Sequence, residues 1–297
     1  MAAPLSNTIK AAMWMMGAVV SFSAMAVAGR EMSFQLDTFE IMLYRSLIGF
    51  IIVGSFGVAT RKIPQIKTAR IGLHFWRNLF HFIGQNLWFF AVTVIPLAHL
   101  FAFEFSVPIW VTLAAPFLLS EKLSTLRVTA VFIGFTGILM VTRPWAAGLS
   151  IGIIAAAFSA ICFAATSIAT KNLTRTEPIL SILFWMTLLQ LIFGLIGAGY
   201  DFDIALPTFD TIHWVIIVGL GGLLAHSCIT KALTLAPATV VLPVDFTRLP
   251  IIATIGMLFY NEPLDIWVIL GAIIIFGSNY INIWAETRKK RVETARK

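Results

Sequence analysis

A chain of 297 residues that is 59% hydrophobic and 12% charged has too little polar surface to clothe a water-soluble domain, so the sequence reads as an all-α integral membrane protein. Its net charge of +7 does not point to nucleic acid: the bases fall between apolar runs and in the tail RKKRVETARK, where anionic lipid accounts for them, and no RNA or DNA motif accompanies them. Both cysteines, Cys162 and Cys228, lie inside apolar runs and suggest neither a disulfide framework nor a CxxC metal site, so neither metal nor cofactor is expected.

A bilayer core of roughly 30 Å takes about 20 apolar residues per helical crossing. Ten such runs occur, near 11–28, 38–59, 72–93, 96–119, 125–142, 148–170, 178–199, 210–233, 237–260 and 263–284. In span 1, Lys10, an apolar stretch and AVA at 26–28 would also fit a secretory signal, whose removal would leave nine spans and break the symmetry set out below. Span 2 carries Arg45 and is followed by RKIPQIKTAR. Along span 3, His74, Asn78, His81, Gln85 and Trp88 recur at steps of three and four, with Arg77 on the flank: one polar stripe on one helix face. Either a hydrogen-bonded helix seam or a cavity wall explains such a stripe. The cavity wall is preferred, because His226 and Ser227 of span 8 stand at the repeat positions of Gln85 and Asn86.

Span 4 contains AHLFAFEFSVPIWV, with Glu104 eight residues past Pro96 and thus about 12 Å along the axis, not far from mid-membrane. Its face also bears Phe101, Phe105 and Pro108. Proline at 108 cannot donate to the carbonyl of residue 104, which predicts a break there. Pro243 and Pro250 do the same around Asp245 in span 9, where Arg248 follows three residues on. GFTG at 134–137 in span 5 and GAIIIFG at 271–277 in span 10 would let these helices approach a neighbour closely, within the bundle or in a homodimer.

With the amino terminus in the cytoplasm, 16 Lys and Arg fall on the inner side or at the inner ends of spans, among them Arg61, Lys62, Lys67 and Arg70, while only Arg30 and Arg143 fall outside and Arg45, Arg77 and Arg248 lie deeper within spans. That bias places both termini in the cytoplasm of a multi-pass inner-membrane protein. Sliding the chain by 141 positions lays AVTVIPLAHLFAFEFS (91–106) on ALTLAPATVVLPVDFT (232–247), so that Glu104 meets Asp245 and SEKL (120–123) meets NEPL (261–264). FSA at 22–24 recurs at 158–160. Two halves of five helices are expected, 1–145 and 146–297 with its basic tail. An odd number of crossings per half forces the second to be inverted. The loop charges agree, since RKIPQIKTAR has as its counterpart a loop with Asp201, Asp203 and Asp210 and no base.

Arg45 of span 2, the ATxxP-like entries to spans 4 and 9, the acids of SEKL and NEPL, and GFTGILMVTRP closing the first half make nearly the whole chain similar to the EamA family of the drug/metabolite transporter superfamily. The resemblance implies ten helices, a central cavity lined by spans 1–4 and 6–9 with 5 and 10 peripheral, and movement of small metabolites, often amino acids outward. Ser120 and Asn261 replace the usual Gly before the acid, and span 7 offers Trp185 where span 2 has Arg45. These motifs identify the family well and the substrate poorly.

A charged side chain at the bilayer centre costs about 3 kcal/mol on insertion scales. Facing lipid, Arg45, Arg77, Glu104, Asp245 and Arg248 would together cost on the order of 15 kcal/mol, so they must face one another or water. Arg248 is placed to pair with Asp245, and Arg45 or Arg77 with Glu104, which leaves one base over and suits a carboxylate-bearing substrate. The leading expectation is a transporter of amino acids or related zwitterions working by alternating access, with export taken from the family and import of a molecule such as S-adenosylmethionine as the alternative. Arg77 would hold the carboxylate, Glu104 the amino group, and Phe101, Phe105 and Trp88 would supply apolar or cation-π contact. His81, Gln85, His226 and Asp245 complete the expected binding set, and Arg45, Arg248 and His99 the structural or coupling charges. Histidines 81, 99 and 226 together with the two acids would allow proton coupling. A membrane enzyme is disfavoured by the lack of HExxH, GxSxG and a phosphate loop, and a channel by the lack of a pore loop.

Overall fold

The computed structural model describes residues 5–118 and 125–295, so SEKL at 120–123 lies outside the described residues. Among the described residues every regular element is helical: α1 (Leu5–Met32), α2 (Thr38–Ala59), a 3-10 turn (Ile63–Gln65), α3 (Ile71–Val94), α4 (Leu97–Glu104), α5 (Val107–Leu118), α6 (Thr125–Thr142), the short α7 (Pro144–Ala147), α8 (Ile151–Leu173), α9 (Ile179–Ala198), α10 (Ile212–Leu235), α11 (Ala238–Asp245), α12 (Arg248–Tyr260) and α13 (Ile266–Ala295). Nine helical segments among the described residues are long and apolar enough to cross a bilayer, two of them formed by α4 with α5 and by α11 with α12. Helix α3 is equally long at 24 residues but is not among them, since a polar stripe interrupts its apolar sequence. The membrane-protein fold is therefore clear, while the tenth crossing rests on the stripe being turned inward.

Local chemistry sets the helix ends. Asp37 and Glu40 close a reciprocal capping box at the start of α2, each side-chain oxygen accepting from the other's backbone N–H at 2.8 Å. Proline precedes α4, α9 and α11, at Pro96, Pro178 and Pro237, where its fixed φ and missing donor cost nothing. Asn261, at φ 54°, ends α12 in the left-handed region. That explains the departure noted above, because Asn is the residue other than Gly that most readily takes this conformation.

The helix starts repeat with a fixed offset. Residues 38 and 179, 71 and 212, 97 and 238, 107 and 248, and 125 and 266 each begin a helix, and each pair is separated by 141 positions. Major interfaces join one half of the chain to the other, α1 with α10, α2 with α9, α3 with α8 and α6 with α13. In the last of these a Cβ on Gly137 would sit 2.9 Å from the carbonyl oxygen of Gly271, and one on Gly271 would sit 2.7 Å from that of Gly137. The small residues of spans 5 and 10 are thus spent on a backbone-to-backbone seam within the chain. Phe132, Phe158 and Ile273, more than half exposed, belong to an apolar outer surface suited to lipid.

Candidate functional site

Both broken helices part at the acids. Helix α4 ends at Glu104 and α5 resumes at Val107; α11 ends at Asp245 and α12 resumes at Arg248. Ahead of Pro108 the helix breaks, and an acceptor left over at the break is satisfied from a distance: Asn279 of α13 donates to the carbonyl of Phe105 at 2.8 Å. The two breaks bring Glu104, Asp245 and Arg248 together. Nη2 of Arg248 lies 2.9 Å from Oε1 of Glu104 and 3.3 Å from Oδ2 of Asp245. Trp88 donates its indole N–H to the other oxygen of Glu104 at 2.9 Å. The guanidinium carbon of Arg248 stands 4.6 Å from the ring centre of Phe22, 5.0 Å from Phe105 and 5.2 Å from Phe101, so cation-π contact supports the charge from the remaining directions.

A cavity of about 1390 Å³ lies beside this cluster, lined by Arg45, Arg77, His81, Gln85, Trp88, Glu104, Phe105, His226, Asp245 and Arg248. It widens toward one end of the bundle, where exposed Lys171, Thr174, Lys231 and Thr234 form its mouth. This is the basic end, because Arg70 donates to the carbonyl of Asn172 and Ser181 to that of Lys67. Arg45 and Arg77 do not pair with Glu104. Arg45 donates to the side-chain oxygen of Gln85 at 2.5 Å, and Arg77 to Thr170 at 3.1 Å and to Asn78 at 2.7 Å.

The opposite end is sealed. Arg30 donates to the carbonyls of Val92 (2.6 Å) and Ile95 (2.8 Å) at the end of α3 and also pairs with Glu262. Glu262 in turn accepts from the backbone N–H of Leu97 at the start of α4, at 2.8 Å. Tyr260 lies under Arg30 at 4.6 Å and donates to Glu31 at 2.7 Å. One arginine thereby caps a helix C-terminus while its partner acid caps a helix N-terminus, fastening α1, α3, α4 and α12 together. Arg143 with Asp265, and Tyr44 with the carbonyl of Ala205 at 2.6 Å, close the same end.

The stripe on α3 divides. Arg77, His81, Gln85 and Trp88 face the cavity. His74 and Asn78 form a buried seam instead: His74 lies 2.9 Å from Glu177, Asn78 donates to the carbonyl of His74, and Gln190 of α9 donates to that of Asn78 at 3.1 Å. Phe101, fully buried, supports Arg248 from below rather than lining the cavity. His99 lies by Arg143 and Asp265 at the sealed end and not with His81 and His226 on the cavity wall. Sequence reasoning missed Phe22, Gln190 and the Arg30–Glu262 fastening. The last had a signal, since Arg30 was one of only two bases expected on its side and Glu262 belongs to a repeated motif.

The chain is 26% identical over 275 residues to a protein named S-adenosylmethionine uptake transporter from Rickettsia bellii (strain RML369-C), covering 93% of this chain and 94% of the relative. It is 27% identical over 296 residues to a protein named riboflavin transporter from Vibrio cholerae serotype O1, covering 97% of each. A solved crystal structure superposes with a TM-score of 0.64 over 95% of this chain and 98% of that one at 18% identity, which speaks for the fold alone. The model of the EamA-like transporter family matches residues 9–143 and 150–284, and the chain belongs to that family: a multi-pass membrane transporter of small molecules, not an enzyme.

Proposed function

We propose that this protein takes up a small, ring-bearing metabolite, S-adenosylmethionine or a close relative first and riboflavin second, across the inner membrane by alternating access. Amino-acid export has no counterpart among the named relatives, so the import alternative takes its place. Ten crossings in two inverted halves, 1–145 and 146–297, are supported by the 141-residue spacing of helix starts and by the interfaces that pair the halves. On that reading both termini and the basic end face the cytoplasm. The protein then stands in its inward-open form.

One observation carries the proposal: among the described residues a large cavity reaches from the broken helices to one end, while a charged fastening shuts the other. Moving cargo requires the Arg30–Glu262 contact to part as the basic end closes. Trp88, Phe105, Phe22 and Phe246, all on the cavity wall, offer aromatic surface for a ring, and His81, Gln85 and His226 offer polar edges. The test is uptake and counterflow in proteoliposomes with labelled S-adenosylmethionine and riboflavin. Saturable flux of one of them, accelerated by the same compound on the far side, is the expected result. Absence of saturable flux for both removes the cargo assignment.

A further inference from the structure

Arg45 and Arg77 are provided for quite differently from Arg248. Neither forms an ion pair with a carboxylate among the described residues; their protein partners are the neutral side chains of Gln85, Thr170 and Asn78. Arg45 uses one of its five N–H groups in this way and lines the cavity. Arg77, His81 and Gln85 follow one another at four-residue steps on α3, and Gln85 tethers Arg45, so the two guanidiniums bracket His81. His81 Nδ1 is buried with no hydrogen-bond partner, and His226 faces the same space from α10. Of the two acids of the site, Glu104 has both oxygens held, by Arg248 and Trp88, while Asp245 gives Oδ2 to Arg248 and keeps a buried Oδ1 with no hydrogen-bond partner.

We infer that the cargo carries an oxyanion, a carboxylate or a phosphate ester, and that Arg45 and Arg77 hold it together. This rests on the transporter reading above and names the chemical class it acts on. Two like charges facing a common space without a counterion repel each other, and an anion between them removes the repulsion while accepting hydrogen bonds from both. Thr170 and Asn78 fix Arg77 in advance, and Gln85 does the same for Arg45. Glu104, with both oxygens committed, is not free to bind an ammonium group, which leaves the two arginines as the groups of the site aimed at the negative end of a cargo.

The test uses matched probes that differ in one anionic group: S-adenosylmethionine against its decarboxylated form, flavin mononucleotide against riboflavin, and benzoate or phenyl phosphate against benzamide. Affinities come from thermal shift and tryptophan fluorescence on the purified full chain. The anionic member of at least one pair is expected to bind at least tenfold more tightly. Arg45→Gln and Arg77→Gln should reduce it to the affinity of its neutral partner, with elution profiles confirming folded protein. Gly222→Ala offers a charge-neutral check: its new methyl would lie 2.8 Å from Nη2 of Arg45, displacing the guanidinium, and should cut the preference several-fold. Equal binding of anionic and neutral members, a preference that survives in the Arg45→Gln, Arg77→Gln double variant, or no binding of any anion overturns the inference. If benzoate or phenyl phosphate binds through the arginines while both metabolite pairs are silent, the oxyanion site stands and the cargo assignment falls. Benzoate against phenyl phosphate decides between carboxylate and phosphate.

Discussion

Arg248 and Arg45 are the same residue type on the wall of the same cavity, yet their surroundings differ in kind. Arg248 is 4% exposed, touches two carboxylates and sits among three phenylalanine rings. Arg45 has a glutamine. A buried charge whose partners are supplied by the fold holds the fold together, whereas one supplied with neutral neighbours is kept for something that comes and goes. The two breaks in the helices explain how Arg248 acquires both acids, since each break ends a helix at a carboxylate and the second restarts at the arginine itself.

Removing each base separately should expose this difference most strongly. Arg248→Met leaves Glu104 and Asp245 buried without a cation, and a loss of about 3–5 kcal/mol is expected, read as a large fall in melting temperature in detergent. Arg45→Met gives up one hydrogen bond and should cost about 1 kcal/mol or less, because it also removes a charge that has no counterion. Equal destabilisation by the two would break the comparison. A sharper version adds Glu104→Gln and Asp245→Asn to Arg248→Met. With the orphaned charges gone, about half of the lost stability should return.

This asymmetry could not be read from the sequence, though much around it could. The helix starts, the breaks beside Glu104 and Asp245 and the stripe on α3 follow from hydropathy, proline and spacing, which are local properties. Counting three bases against two acids left one base over. The structure leaves two, because both acids converge on Arg248, and convergence depends on how α4, α11 and α12 meet. Phe101 shows the same limit, since spacing put it on the right helix face but only packing makes it a support for Arg248 instead of part of the cavity wall. His99 was grouped with His81 and His226 by residue type, although helix direction puts it near Arg143 at the other end.

The two ends of the bundle make a second comparison, with smaller expected effects. Glu262→Gln removes the charge that holds Arg30 against the helix termini while keeping the amide oxygen that accepts from Leu97. The sealed end should open more often. A cysteine in place of Met25, which lines the cavity from α1, should then react several-fold faster with a membrane-impermeant thiol reagent applied from the sealed side, in a background with Cys162 and Cys228 replaced. An unchanged rate would show that Arg143, Tyr44 and the apolar packing close this end without Glu262.

At the open end the corresponding charge contact is Glu177, which fastens Thr68 and His74 to the turn between α8 and α9. Burial alone would raise its carboxyl, but hydrogen bonds from Thr68 and His74, with the charge of His74, outweigh that and hold it below the ordinary value of 4.5. A depressed carboxylate contributes stability that is complete above its unfolded value and is lost as pH falls through its folded one. Wild type should therefore melt above Glu177→Gln at neutral pH, and the gap should narrow only below about pH 4.5, where the unfolded carboxylate takes up its proton. Because the group sits in a solvent-bordered turn, the effect should be the smallest of those named here. A gap that persisted unchanged to about pH 3 would mean that Glu177 stabilises the turn by its shape and not by its charge.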